Sequence, residues 1–220
     1  MGQDVESAGS MAVAAEVAAA PSAPSSAGRI GPNAVTRIAE ALATLHGEEV
    51  MRGVFADAAL LHHLQKPPGS MLDERDVMAL HRAGRRRLGE VAFAQVADLA
   101  GQLTGDYILA KRIPMFAQRL LKILPRWLAS RVLGKAIAAH AWTFAGSGEF
   151  SLVARPGGML LTIKNSPLAR AEQADVPLCG YYSATFERIF SRLVAPGTAV
   201  TEISCVATGA NACCFDVVFG

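Results

Sequence analysis

No apolar run in this 220-residue chain reaches the roughly 18 residues that a helix needs to cross a bilayer, so no membrane span is expected. The N-terminus lacks a basic stretch, and Asp4, Glu6 and Glu16 interrupt its alanines. It does not read as a secretory leader, and a cytoplasmic, reducing setting is the expectation. Residues 1–28 contain no aromatic side chain and are dominated by Ala, Ser, Pro and Gly. Such a composition cannot bury enough to offset its ordering entropy, which predicts a disordered tail. No dinucleotide fingerprint is present. Gly146-Ser147-Gly148-Glu149-Phe150-Ser151 lacks the third glycine and precedes a strand pattern, not a helix. Cysteines at 179, 205, 213 and 214 match no iron–sulfur spacing. Acidic residues are missing from Tyr107 to Gly148, where Lys111, Arg112, Arg119, Lys122, Arg126, Arg131 and Lys135 all occur. No nucleic-acid-binding module accompanies those cations, so nucleic acid is not the expected partner.

What remains is a chain that is 51% hydrophobic and 18% charged, long enough for one domain with a real core, here residues 29–220. Helical spacing of Val35, Ile38, Leu42 and Leu45 predicts a first helix from Asn33 until Gly47 stops it, and a second follows over 48–64. Asp73 opens a third, and an Ala-rich helix runs from Glu90 to about Leu103, with Gly105 breaking it. Pro114 and Pro125 each introduce a further helix, about 115–124 and 126–140. After Gly148 the period changes from 3.6 to 2, with hairpin strands on either side of Arg155-Pro156-Gly157-Gly158. A helix over 180–194 and a closing hairpin complete a β-β-α-β-β half. The fold class is α+β, N-terminal helices packed on a small antiparallel sheet.

All four cysteines lie in the last 42 residues, with Glu202 three positions before Cys205 and Cys213 eight after it. Thiolates and a carboxylate at such spacing could close a tetrahedral zinc site. Free cysteines also serve simply as small buried side chains, and spacing alone leaves both readings open. A regular strand poses a further obstacle, because Glu202 and Cys205 would point to opposite faces; a bulge or the strand end must bring them together.

The order Cys179…Glu202-Ile203-Ser204-Cys205…Cys213 resembles the zinc-binding end of the 4-vinyl-reductase domain family, which includes ligand-sensing modules of phenol-responsive regulators. Gly31-Pro32-Asn33-Ala34 and the run from His140 to Gly148 are similar to the members that act in bacteriochlorophyll synthesis. The resemblance extends from about Arg29 to the C-terminus. It implies a structural zinc held by Cys179, Glu202, Cys205 and Cys213, with Cys214 left out. It also implies a fold shared with haem-type nitric oxide sensors and vesicle-tethering subunits, and a homodimer.

For function the resemblance implies an accessory protein that binds a (divinyl) protochlorophyllide-type tetrapyrrole and presents it to pathway enzymes. An 8-vinyl (older numbering 4-vinyl) reductase using an external reductant is the alternative, and a small-molecule sensor module a third. Residues suited to contact such a ring are His140 as an axial nitrogen, Trp142 and Phe144 as stacking faces, and Lys111 and Arg112 opposite a carboxylate. Each has a plainer role open to it: histidines and aromatics commonly fill cores, and a run of cations is commonly a solvated helix face. Basic and apolar residues interleave over 111–128, which also suits a peripheral contact with a membrane surface.

Overall fold

In the computed structural model, residues 28–220 are described; the tail expected over 1–28 lies outside them except for Gly28. Gly28 already belongs to the fold, since its carbonyl accepts from the Glu74 amide at 2.9 Å. Strand β1 (Arg29–Ile30) pairs antiparallel with β2 (Leu72–Asp73), a two-residue ribbon too short to leave a periodic signal.

Helix α1 (Asn33–Asp57) is two helical arms joined at Gly47, whose φ of 85° is open to glycine and costly for other residues. The expected stop at Gly47 is therefore a kink. The second arm ends at Asp57, short of the expected Leu64, and Ala59 at φ 59° turns the chain before the single turn α2 (His62–Gln65). Asp73 caps α3 (Glu74–Leu88), its carboxylate accepting from the Arg75 amide at 2.8 Å. Helices α5 (Met115–Ile123), α6 (Arg126–Ala139) and the short α7 (Trp142–Ala145) follow, with Pro114 and Pro125 immediately before the first two.

Helix α4 (Glu90–Lys111) corrects the expected break at Gly105 and runs two turns beyond Leu103. Its glycines serve a close approach to α8 (Gly180–Leu193). A Cβ on Gly101 would stand 2.4 Å from the Tyr181 carbonyl oxygen, and one on Gly105 would stand 2.6 Å from the Arg188 Cβ. Polar contacts fix this helix pair. Thr104 Oγ1 lies 2.8 Å from the Tyr181 hydroxyl, Thr185 donates to the Gly101 carbonyl at 3.1 Å, and Arg188 pairs with Asp106 at 2.7 Å.

Strands β3 (Glu149–Arg155), β4 (Gly158–Lys164), β5 (Ala199–Ser204) and β6 (Ala212–Val218) form one antiparallel sheet in the order β3-β4-β6-β5. Alternation puts Met159, Leu161 and Ile163 on one face, opposite Val217, Phe215 and Cys213 across the β4–β6 ladder, and all six are buried. Helix α8 lies on that face, its Phe186 and Tyr182 rings 5.7 and 6.2 Å from Phe215. The layers are thus sheet, α8 and α4, with α1 and α3 beyond, in agreement with the expected α+β class.

One buried carboxylate ties the N-terminal segment to the sheet half. Glu74 accepts from the Ser147 amide (2.8 Å), the Ser147 hydroxyl (2.7 Å) and Arg170 (2.6 Å). Burial raises its pKa, but the donors outweigh burial and hold the carboxyl below its ordinary value. The Gly146-Ser147-Gly148 run is therefore one side of a clasp.

Candidate metal centre

The centre is built where the start of α8 meets the β5–β6 hairpin. Cys179 immediately precedes α8, Cys205 follows β5, and Cys213 sits on the buried face of β6. Glu202 pairs with Phe215 across the ladder, so it shares the buried face. The register then slips: Ser204 pairs with Cys214, leaving Ile203 as an extra residue with 56% of its surface exposed. This bulge reverses the parity of the strand and turns Cys205 back toward the face that carries Glu202 and Cys213. The opposition expected of a regular strand is removed in this way.

One ligating atom each from Cys179, Glu202, Cys205 and Cys213 lies within 4.8 Å of every other. The Cys179 sulfur is 3.4 Å from that of Cys213, which is 3.8 Å from that of Cys205. A disulfide would need about 2.05 Å. Metal–sulfur bonds of about 2.3 Å in a tetrahedron put sulfurs about 3.8 Å apart, so the spacing suits thiolates around a common ion. The three sulfurs are fully buried. Glu202 Oε2 accepts from the Cys179 amide at 2.7 Å, while its Oε1 is buried without a hydrogen-bond partner among the described residues. An unpaired buried carboxylate oxygen at the edge of three thiols is the donor set a soft-to-borderline dication requires.

Backbone donors surround the sulfurs. The Leu178 amide points to Cys205 and the Val206 amide to Cys213, each at 3.4 Å, and the Ser166 hydroxyl lies 3.6 Å from Cys179. Such contacts orient ligands and spread thiolate charge. Without an ion the sulfurs divide the charge unequally. Donation from Cys179 and Cys213 brings the Cys205 thiol down to about 2, whereas donation to Cys205 and Cys213, with burial, pushes Cys179 up. Burial and the Cys205 charge lift the Glu202 carboxyl to about 8.

Cys214 is on the other face of β6, half-buried, its sulfur 3.8 Å from the Thr162 hydroxyl oxygen. The remaining sequence-derived residues lie elsewhere. Phe144 packs among Phe150, Tyr182 and Phe186. Trp142 is 61% exposed, and exposed His140 follows α6 with Nδ1 2.8 Å from the Ala136 carbonyl oxygen. Lys111 ends α4, and Arg112 lies over the Tyr107 ring at 5.9 Å. A surface cleft of about 560 Å³ is lined by none of these five; its walls include Glu90, Glu172, Asp175 and the turn Val206–Gly209 beside the sulfurs. Sequence reasoning did not single out His81. It is buried between the edges of Phe93 and Tyr181, and neither ring nitrogen has a partner among the described residues. Only its place on the apolar side of α3, near Val77 and Leu80, hinted at this.

Residues 159–219, which include the four candidate ligands, match the model of the 4-vinyl-reductase domain. The chain is 44% identical to the bacteriochlorophyll synthase 23 kDa chain of Cereibacter sphaeroides, over 89% of this chain and 93% of that one. It is 40% identical to the protein of the same name from Rhodobacter capsulatus, over 90% of each. Among solved structures it is similar to an H-NOX protein from S. oneidensis in the Fe(II)NO ligation state (TM-score 0.52, 10% identity, 87% of this chain and 99% of that one). Another is an H-NOX structure from work on heme distortion (TM-score 0.56, 10% identity, 86% and 95%). At that identity the likeness concerns the fold, and it bears out the expected nitric-oxide-sensor type.

Proposed function

Because the chain belongs to the family of the bacteriochlorophyll synthase 23 kDa chains, we propose that it acts in bacteriochlorophyll synthesis as a binding protein for a (divinyl) protochlorophyllide-type tetrapyrrole, presenting it to pathway enzymes. One coincidence carries this reading: relatives named for a tetrapyrrole pathway have a fold whose solved neighbours include proteins studied for their heme. A fold alone does not give a function, but here the fold and the relatives' names point to one ligand class.

The same reading gives the cysteine centre a zinc ion. Cys179, Cys205 and Cys213 would supply thiolates and Glu202 a carboxylate oxygen, the four donors of a closed structural site. An ion there would join the start of α8 to the final hairpin, and its binding energy would add to folding. The protein's own part in ligand handling is then to hold a rigid sheet-and-helix frame. The unpartnered Glu202 Oε1 supports the zinc assignment most directly.

The test is incubation of the purified full chain with divinyl protochlorophyllide, with and without NADPH. A saturable absorbance shift, with the vinyl group unchanged in both samples, is expected. Conversion to the monovinyl pigment would replace the binding role with the vinyl-reductase alternative, and no shift at any concentration would remove the tetrapyrrole.

A further inference from the structure

Helix α5 buries one side chain, Leu121, and is held from below by Gln118, which donates to the Leu109 and Ile113 carbonyls at 2.6 and 2.8 Å. Its outer surface is apolar. Phe116 is 75% exposed, Leu120 50% and Ile123 80%, with Met115 at 67% and Trp127, just inside α6, at 61%. At 100° per residue, Phe116, Leu120 and Ile123 fall within one arc of about 100°, and Arg119 lies inside that arc. Lys122, Arg131 and Lys135 are exposed nearby, and Arg131 lies over the Trp127 ring at 5.6 Å. Among the described residues none of Arg119, Lys122, Arg131 and Lys135 forms an ion pair. No acidic residue lies between Tyr107 and Gly148 to neutralise them.

We propose that this α5–α6 face seats the protein on an anionic lipid bilayer, the five exposed apolar side chains entering the headgroup region and the cations meeting lipid phosphates. Exposed large apolar groups in a contiguous patch mark a surface made to be covered. A second copy is a poor cover, because a two-fold contact would set these cations against themselves. Aromatic, aliphatic and cationic residues mixed on one short face match the needs of a bilayer interface, where the apolar groups and the charges both find partners at one depth. The inference rests on exposure and charge and is independent of the tetrapyrrole reading.

The experiment is sedimentation of the full chain with vesicles of phosphatidylcholine alone or with phosphatidylglycerol, alongside gel filtration without lipid. Binding to the anionic vesicles should exceed binding to the neutral ones at least tenfold and weaken with salt. Phe116→Glu with Ile123→Glu should cut it at least tenfold, and Arg119→Gln with Lys122→Gln should reduce the preference for anionic lipid. Unchanged circular dichroism checks the fold; should the glutamate pair unfold the chain, Phe116→Ser with Ile123→Ser replaces it. The proposal is overturned if the chain stays in the supernatant with anionic vesicles or if the apolar substitutions leave binding intact. It is also overturned if gel filtration shows a dimer that those substitutions split.

Discussion

Replacing His81 with leucine should flatten the acid side of the stability curve. The ring is 1% exposed, lacks a hydrogen-bond partner among the described residues, and sits 5.4 and 6.0 Å from the Phe93 and Tyr181 rings. Burial, with Arg85 one turn away, lowers its pKa from 6.5 to about 3. Because the folded value lies below the unfolded one, the unfolded chain takes up the proton first as pH falls. Stability is therefore complete above about 6.5 and declines toward about 3. At pH 5 the gap below the unfolded value is about 1.5 pH units, and at about 1.4 kcal/mol per unit this one group costs about 2 kcal/mol. The leucine variant has no such group, and every other titrating residue is common to both chains, so the difference between their curves isolates His81. At pH 7.5 the variant should be at least as stable, because replacing an unpaired buried polar group by an apolar one is neutral or favourable. Urea unfolding of both proteins at pH 7.5 and 5.0 measures this. Parallel losses in the two chains, or a variant weaker by about 2 kcal/mol at pH 7.5, would refute the reasoning and show that the ring nitrogens are satisfied.

Metal analysis should find about one zinc per chain by the four-donor rule, retained in Cys214→Ala and lost in Cys213→Ser; the opposite result would move the ligand to the other face of β6. Glu74→Ala should destabilise by about 3 kcal/mol, since it leaves Arg170 without its buried partner, and equal midpoints in urea would count against the clasp. With its pKa held below the ordinary value, Glu74 should stabilise the fold above the carboxylate range and cease to do so as pH falls through its folded pKa, a loss that Glu74→Gln should not show. Gly101→Val should lower the melting temperature through the clash with the Tyr181 carbonyl, at a cost of about 1–3 kcal/mol, whereas the same change at solvent-facing Gly69 should not.

Much of the fold was legible because the signals are local. Pro114, Pro125, the Asp73 cap and the change of period after Gly148 each act through neighbouring residues, and the elements they announce are present. Gly105 misled for a physical reason: its effect is decided by Arg188 on another helix, which no window of sequence contains. Gly47 stops helical geometry without ending the helix pair, because the core on both sides holds the arms. The four donors at the centre were legible through family likeness, while the means of uniting them was not. Strict alternation separates Glu202 from Cys205, and only the slip in register against Cys214 shows how one face receives both. His81 remained hidden because a histidine among apolar residues looks the same whether or not its nitrogens find partners.

The extra residue at Ile203 also bears on how the molecule stays separate from its copies. Strand β5 is an outer strand of the four-stranded sheet, and an outer strand with a regular row of free amides and carbonyls invites another chain to add to it. A bulge interrupts that row and twists the edge away. Removing one residue at 203 would thus straighten β5, turn Cys205 away from its partner sulfurs and restore a template for edge-to-edge growth. Insoluble protein with an intact helical spectrum is the expected product of that single deletion.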